Sequence, residues 1–360
     1  MMPEKLLKVG IIGCGRMGLF TDPQVKSTFP KCYLPYSHAD AVSAHPNLKL
    51  SGLCDISDDA LRKAKQTFPE VSLFKNPEKL LKDISPDVVC IATRTPERFE
   101  LIKLCIENGI RLIHVEKPLC NSYDQLKRIS QLIDKNNTHF TFGAIRRYLE
   151  PYKTSIGFFN KGLIGDLEEV SFNLGSTLLC WNHIHGIDLI SSILKPFRVK
   201  SIRAVAKNSF KSCLGANTLD IDPEISFIHI STYEGPQGMI SCAGGGDLMI
   251  YGKKGIIGVL NDGMKCFYRK SADENNPKSY FTKTVDINIP QSIYSGTAAA
   301  IDRLVKTNIK LAKLDSQAMI YSQKLLFACV QSILTNGDPV DPENIREDIC
   351  IKGKFGELYA

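Results

Sequence analysis

Two stretches of this chain carry residue types that do chemistry. In the first, CWNHIHGID at positions 180–188, two histidines stand two apart and an aspartate follows the second by three. Such a pair holds one metal ion only if both rings face the same way. On a strand they do; on a helix His183 and His185 lie roughly 200° apart. The following run, IDLISSILK, has helical periodicity, with Ile184, Ile187, Ile190 and Leu194 as an apolar stripe and Asn182 at or near the N-cap. The other histidines (38, 45, 114, 139 and 229) are isolated in the sequence, and the twelve cysteines include no CxxC pair. No metal site is expected. His185 and Asp188 share a helix face. His185 is then either an acid/base group oriented by Asp188 or a satisfied core histidine beside a helix cap. The face of Trp181 suits the apolar side of a sugar ring, and His183 is a structural or substrate-side histidine.

The second stretch is LLKVGIIGCGRMG, an apolar run leading into Gly13-x-Gly15-x-x-Gly18. Its spacing is that of a strand turning into a helix whose first N–H groups face a dinucleotide pyrophosphate. Such a fingerprint calls for an acid about 20 residues further on, at the end of the second strand. The candidate, Asp55 in LKLSGLCDIS, comes 37 residues after Gly18 (55 − 18). Pro23, Pro30 and Pro35 forbid one continuous helix between them. We therefore infer an insertion of about 15 residues beyond the usual spacing, with the helix resuming near Ser37, a good N-cap. The insertion is a lid or cleft wall, or else a surface loop. Asp55 is either an ordinary strand-end aspartate or the ribose ligand. In the second case it favours NAD over NADP, because a carboxylate repels a 2′-phosphate and no Arg or Lys follows in DISDD.

The elements that must position these residues follow from alternation. LRKAKQTF and PEKLLKDI read as helices, PDVVCIAT as a buried strand, RFELIKLCIENG as a helix closed by glycine, and RLIHVEKPL as a strand. This pattern gives a doubly wound parallel sheet. Gly244-Gly245-Gly246 reads as a turn or bulge between strands, since no helical run follows. At 360 residues the chain has room for two domains. Its charge of +7 is spread without a dense basic run, which argues against nucleic acid. No apolar run is long enough to cross a bilayer, and the start lacks a signal-peptide pattern. Single, scattered cysteines fit reduced, buried thiols and a cytoplasmic protein.

HVEKPL, with Glu116-Lys117-Pro118 on a strand after the fingerprint, the aspartate and the IAT strand, resembles the Gfo/Idh/MocA family of NAD(P)-dependent oxidoreductases. GAIRRYLEPYKTSIGFFNKGLIGDLEEVSF, HGIDLI, LMIYGKKGIIGVLNDG, TAAAIDRLVKTN and SQAMIYSQKLLFACVQSILTNGDPVD resemble later segments of that family, in order. The resemblance implies an N-terminal Rossmann domain (1–143). It also implies a C-terminal α/β domain (144–360) built on a large, open, mostly antiparallel sheet, for substrate binding and oligomerisation as a homodimer or homotetramer. It implies hydride transfer between NAD(H) and a secondary alcohol or ketone of a sugar, cyclitol or nucleotide sugar. Lys117 and His185 would be the acid/base groups. Lys117 could otherwise be a strand-end lysine paired with Glu116. The cofactor would meet Gly13, Gly15, Arg16, Met17, Gly18, Asp55, Thr93, Glu116, Lys117 and Arg146. The substrate would meet Arg147, Tyr148, Trp181, Asn182 and Asp188. The double arginine suits a phosphate or carboxylate, or else salt bridges to Glu150 or to the second domain. Two positions depart from the family pattern: Trp181 stands where an aspartate is common, and Arg98 where a histidine is. The rival reading is a catalytically weak dinucleotide-binding sensor or regulator of the same fold.

Overall fold

The computed structural model describes residues 6–207, 216–273, 283–306 and 309–352. Its first sheet has six strands, β1 (Leu7–Ile12), β2 (Leu48–Cys54), β3 (Ser72–Phe74), β4 (Val88–Ile91), β5 (Leu112–Val115) and β6 (His139–Phe142). All neighbours are parallel, in the doubly wound order β3-β2-β1-β4-β5-β6. β4 is apolar throughout because both faces of a parallel sheet are covered, and Val88, Val89, Cys90 and Ile91 are fully buried. The helices of this unit are α1 (Pro23–Thr28), α2 (His38–Ser43), α3 (Asp58–Thr67), α4 (Pro77–Ile84), α5 (Thr95–Glu107) and α6 (Tyr123–Asn136). Side-chain oxygens of Ser57, Asn76 and Ser122 cap α3, α4 and α6, and prolines open α4 and α5 where their missing N–H costs nothing. Helices and strands thus fall where alternation put them, apart from the region after Gly15.

The second unit holds α7 (Glu150–Asn160), β7 (Leu167–Asn173), α8 (Ile184–Ile193), β8 (Val199–Ala206), β9 (Thr218–Leu219), β10 (Ile225–Thr232), β11 (Gln237–Ser241), β12 (Asp247–Gly252), β13 (Gly255–Leu260), β14 (Lys265–Lys270) and β15 (Val285–Asp286). Eight strands form one open sheet, β15-β14-β13-β12-β7-β11-β10-β8. Only β7 and β11 are parallel within it, so the sheet is mostly antiparallel, as expected. The Gly244–Gly246 run is the connection between β11 and β12, with Gly245 and Gly246 at φ +117° and +65°.

The chain then returns. α9 (Gly296–Lys306) sends Ala298, Ile301 and Leu304 into the core of the first unit beside Ala39 and Val42. α10 (Ile309–Leu334) contributes its residues up to Ile320 to the first unit and those from Tyr321 to the second. β16 (Cys350–Ile351) pairs with β9. The first unit therefore comprises residues up to Ile145 plus Tyr294–Ile320, and the second Arg146–Ile293 plus the segment from Tyr321. A single cut after residue 143 misses this return, because the apolar face of α9 is completed by β5, β6 and α2. Among the described residues no helix is long and apolar enough to cross a membrane.

Candidate active site

β1 ends in Gly13, whose φ of +100° only glycine adopts without strain. A Cβ there would sit 2.7 Å from the carbonyl carbon of Ala92 and 2.8 Å from the Thr93 nitrogen, while one on Gly18 would collide with the Gly13 carbonyl. From Gly15 the chain makes one helical turn, closed by Leu19 N–H donating to the Gly15 carbonyl at 2.8 Å, and leaves the axis. It returns at Ser37, whose side-chain oxygen caps α2 as its residue type predicts. His38 N–H donates to the Met17 carbonyl (2.8 Å) and Ala39 N–H to that of Gly18 (2.9 Å). In an unbroken helix residues 21 and 22 would make those bonds. The segment is thus one helix with 17 residues looped out (38 − 21). The loop is tied at its neck, where Thr21 Oγ1 accepts from Ser37 N–H (3.0 Å) and donates to Asp40 (3.0 Å). Just before Ser37 it is held by α9, where Thr297 donates from N–H to the Pro35 carbonyl (3.0 Å) and from Oγ1 to that of Tyr36 (2.6 Å).

Subtracting the 17 looped-out residues from the 37 between Gly18 and Asp55 leaves 20, the spacing that a ribose-binding acid needs. Asp55 sits directly after β2. Its Oδ2 accepts from Cys14 N–H (2.7 Å) and its Oδ1 from Ser57 N–H (2.8 Å). A carboxylate offers about four lone-pair sites, so capacity remains for ribose hydroxyls. The first-turn N–H groups of a helix lack intrahelical acceptors, which suits the Gly15–Gly18 turn to a pyrophosphate. These residues fit a dinucleotide.

Thr93 follows β4 and Lys117 follows β5, with the Lys117–Pro118 bond cis. The buried guanidinium of Arg98 ties the two loops, donating to the Thr93 carbonyl from Nε (3.0 Å) and to the Pro118 carbonyl from Nη1 (2.5 Å). Burial pushes its pKa down to about 10, against the pull of Glu116, so it stays charged at neutral pH. Arg98 is a brace between the two loops. Glu116, 4% exposed, points inward. Its Oε1 lies 3.1 Å from His38 Nε2 and its Oε2 accepts from Lys117 N–H at 3.3 Å.

His38 and His114, isolated in the sequence, are brought together by the fold. The ring centroids lie 4.8 Å apart, and Glu116 completes a buried trio. The donor types would suit a metal ion. His38 Nε2 is engaged by Glu116 and His114 Nδ1 by Thr141 Oγ1 (3.0 Å), while His38 Nδ1 and His114 Nε2 are buried without a hydrogen-bond partner. The trio's sequence signal was the offset of three between Gly18 and His38 that the looped-out segment hides.

In the second unit several expected cofactor and substrate groups are paired with protein groups. Arg146 makes a bidentate bond to Asp262 (2.8 and 2.7 Å), and Arg147 one to Asp188 (2.7 and 2.5 Å). Both pairs are largely buried. Asp188 also accepts from Ser322 Oγ (2.7 Å), so its carboxylate anchors Arg147 and α10. Burial raises its pKa, with Arg147 and Ser322 opposing. Asn182 is no cap: its amide donates to the Leu174 carbonyl (3.1 Å) and to Thr177 Oγ1 (3.2 Å). Leu179–His183 forms a π-turn that runs into α8, and Asp222 caps it by accepting from Cys180 and Trp181 N–H (2.8 and 3.1 Å). The stripe Ile184, Ile187, Ile190 and Leu194 is buried as read. His183 is fully buried, and burial pushes its pKa down to about 4, so it is neutral. Tyr148 is buried, His185 is half-buried in the first turn of α8, and Trp181 is 41% exposed.

Residues 7–144 match the model of the GFO_IDH_MocA oxidoreductase family, NAD-binding Rossmann fold. The chain is 28% identical over 166 residues to scyllo-inositol 2-dehydrogenase (NAD(+)) of Bacillus subtilis. That match takes in 45% of this chain and 42% of the relative, less than half of either. An inositol dehydrogenase homologue from Azotobacter vinelandii, crystallised with NADH and myo-inositol, superposes with a TM-score of 0.69. It is 13% identical, and the match covers 94% of this chain and 98% of the other. A 3-ketoreductase from Actinomadura kijaniata, crystallised with TDP-benzene and NADP, gives 0.65 at 13% identity, covering 90% and 96%. At these identities the solved structures establish the shared fold.

Proposed function

We propose that the chain is an NAD-dependent dehydrogenase or reductase acting on a secondary alcohol or ketone of a cyclitol or sugar, a reading supported by the match of residues 7–144 to the NAD-binding Rossmann domain of the Gfo/Idh/MocA oxidoreductases. One observation carries the reading. The Gly13–Gly18 turn, Asp55, Thr93 and Lys117 leave the carboxyl ends of four adjacent parallel strands, β1, β2, β4 and β5, where ligands of open α/β sheets bind. When bound, a nicotinamide would accept or supply hydride at the reacting carbon. The chain must then bind the dinucleotide, orient the substrate and move one proton. Gly15–Gly18 would hold the pyrophosphate. Asp55 would accept from the ribose hydroxyls and disfavour a 2′-phosphate. Lys117 would take the proton of the carbinol or polarise the carbonyl, and His185 would be the second acid/base group. With Arg146 and Arg147 committed to Asp262 and Asp188, a neutral polyhydroxylated ring is favoured over a phosphorylated one. Trp181 would stack on that ring.

The test is turnover with NAD over a panel of cyclitols and sugars. Lys117→Ala and His185→Ala are each expected to lower kcat at least about a hundredfold. Wild-type turnover that both variants retain would remove these residues from the chemistry. Trp181, at the family's common aspartate position, favours one second reading, a dinucleotide-binding sensor. That reading gains if the wild type binds cofactor and turns over nothing in the panel.

A further inference from the structure

We propose that His38, His114 and Glu116 form a buried binding site for one divalent transition-metal ion such as zinc. The inference goes beyond the dehydrogenase reading and does not depend on it.

Three points of the first unit supply the ligands. His38 opens α2, His114 lies on β5, and Glu116 directly follows β5. They are 0%, 0% and 4% exposed. Two imidazoles and a carboxylate are a donor set that zinc takes. One nitrogen of each histidine and one carboxylate oxygen lie within 4.8 Å of one another. Ligand atoms about 2.0–2.2 Å from a tetrahedral ion stand roughly 3.3–3.6 Å apart. His38 Nε2 and Glu116 Oε1, at 3.1 Å, are already close to that spacing. The remaining nitrogen has to close in by at most about 1.5 Å (4.8 − 3.3).

The state of the His114 ring is an independent observation. Its Nδ1 is bonded to Thr141 Oγ1 (3.0 Å), the side chain of its register partner on β6. Its Nε2 is buried and has no hydrogen-bond partner. A buried polar atom left in that state is costly. Burial pushes the pKa of His114 down to about 3, so the ring is neutral. In the tautomer whose Nδ1–H donates to Thr141, Nε2 carries a free lone pair. A ring steadied through one nitrogen and open at the other is how histidine is presented to a metal. On ligating through Nε2, His38 keeps its ring proton on Nδ1, which is also buried without a partner. Glu116 has about four lone-pair sites, so it can ligate and still accept from Lys117 N–H (3.3 Å). The charges of Arg98 and Lys117 act on Glu116 and oppose a further cation, which holds the affinity below that of a thiolate-rich site. The ion's role is structural. His38 N–H closes the glycine turn through the Met17 carbonyl (2.8 Å), so the ion would fasten that turn to the one after β5.

The experiment strips the full chain with a chelator and titrates it with Zn2+ against a chromogenic zinc indicator, with urea unfolding in parallel. The wild type is expected to bind one ion per chain and to gain in urea midpoint with zinc. Glu116→Gln and His114→Phe should each weaken that site at least about tenfold and lose the zinc-dependent gain. Thr141→Val removes only the hydroxyl that orients the ring and should weaken binding about tenfold. If His114→Phe fails to fold, Glu116→Gln and Thr141→Val carry the test. Equal zinc binding by the wild type and the folded variants would place the ion elsewhere, on some of the twelve cysteines, and overturn the proposal. Absence of stoichiometric binding by the wild type would overturn it too and leave the trio a hydrogen-bonded core cluster.

Discussion

The residues set by fixed local geometry were readable. Gly13 and Gly18 lie in a tight turn that leaves no room for a side chain, Asp55 directly follows β2, and Ser37 caps a helix as its type dictates. The residues whose partners lie far along the chain were not. Arg146 and Arg147 meet carboxylates 116 and 41 residues away, a pairing that no local pattern encodes. Asp222 caps a turn 41 to 42 residues before it, so Asn182 looked like the cap. The buried Arg147–Asp188 pair gives a prediction at this scale. Arg147→Met should leave an uncompensated carboxylate against Ser322 and cost about 3–5 kcal/mol of stability, read from urea unfolding. An arginine that served only a substrate would lower affinity and leave the unfolding midpoint unchanged.

At the scale of the element, the instructive feature is the broken helix. Three prolines predicted the break, and the excess spacing to Asp55 predicted an insertion of roughly the observed length. That the two helical pieces share one axis was hidden, because it depends on His38 and Ala39 finding the Met17 and Gly18 carbonyls. Excising Thr21–Ser37 and joining Phe20 to His38 should give a continuous helix from the glycine turn into α2. The excised chain is expected to fold and to bind NADH within about tenfold of wild type. If substrate KM rises while NADH affinity holds, the loop is a wall of the substrate site; if neither changes, it is a surface excursion. Loss of nucleotide binding in a folded excised protein would mean that the loop itself shapes the dinucleotide site. The same scale explains the domain division. α9 follows the large sheet in sequence, yet its apolar face matches the first unit, and only packing shows which core it completes.

For the molecule as a whole, alternating buried strands and helices specify the parallel sheet, while the mostly antiparallel sheet is expected only through the family resemblance. The function is less directly written. The family match covers residues 7–144, where a dinucleotide would bind, while the groups that would choose a substrate lie in the second unit. The central claim, that this chain uses NAD through Asp55, is tested most directly by fluorescence titration of nucleotide-free protein with NADH and NADPH, for wild type and Asp55→Ala. The account predicts NADH binding at least about tenfold tighter than NADPH in the wild type, and loss of that preference in Asp55→Ala. NADPH preferred by the wild type, or neither nucleotide bound after any carried cofactor has been removed, would contradict it.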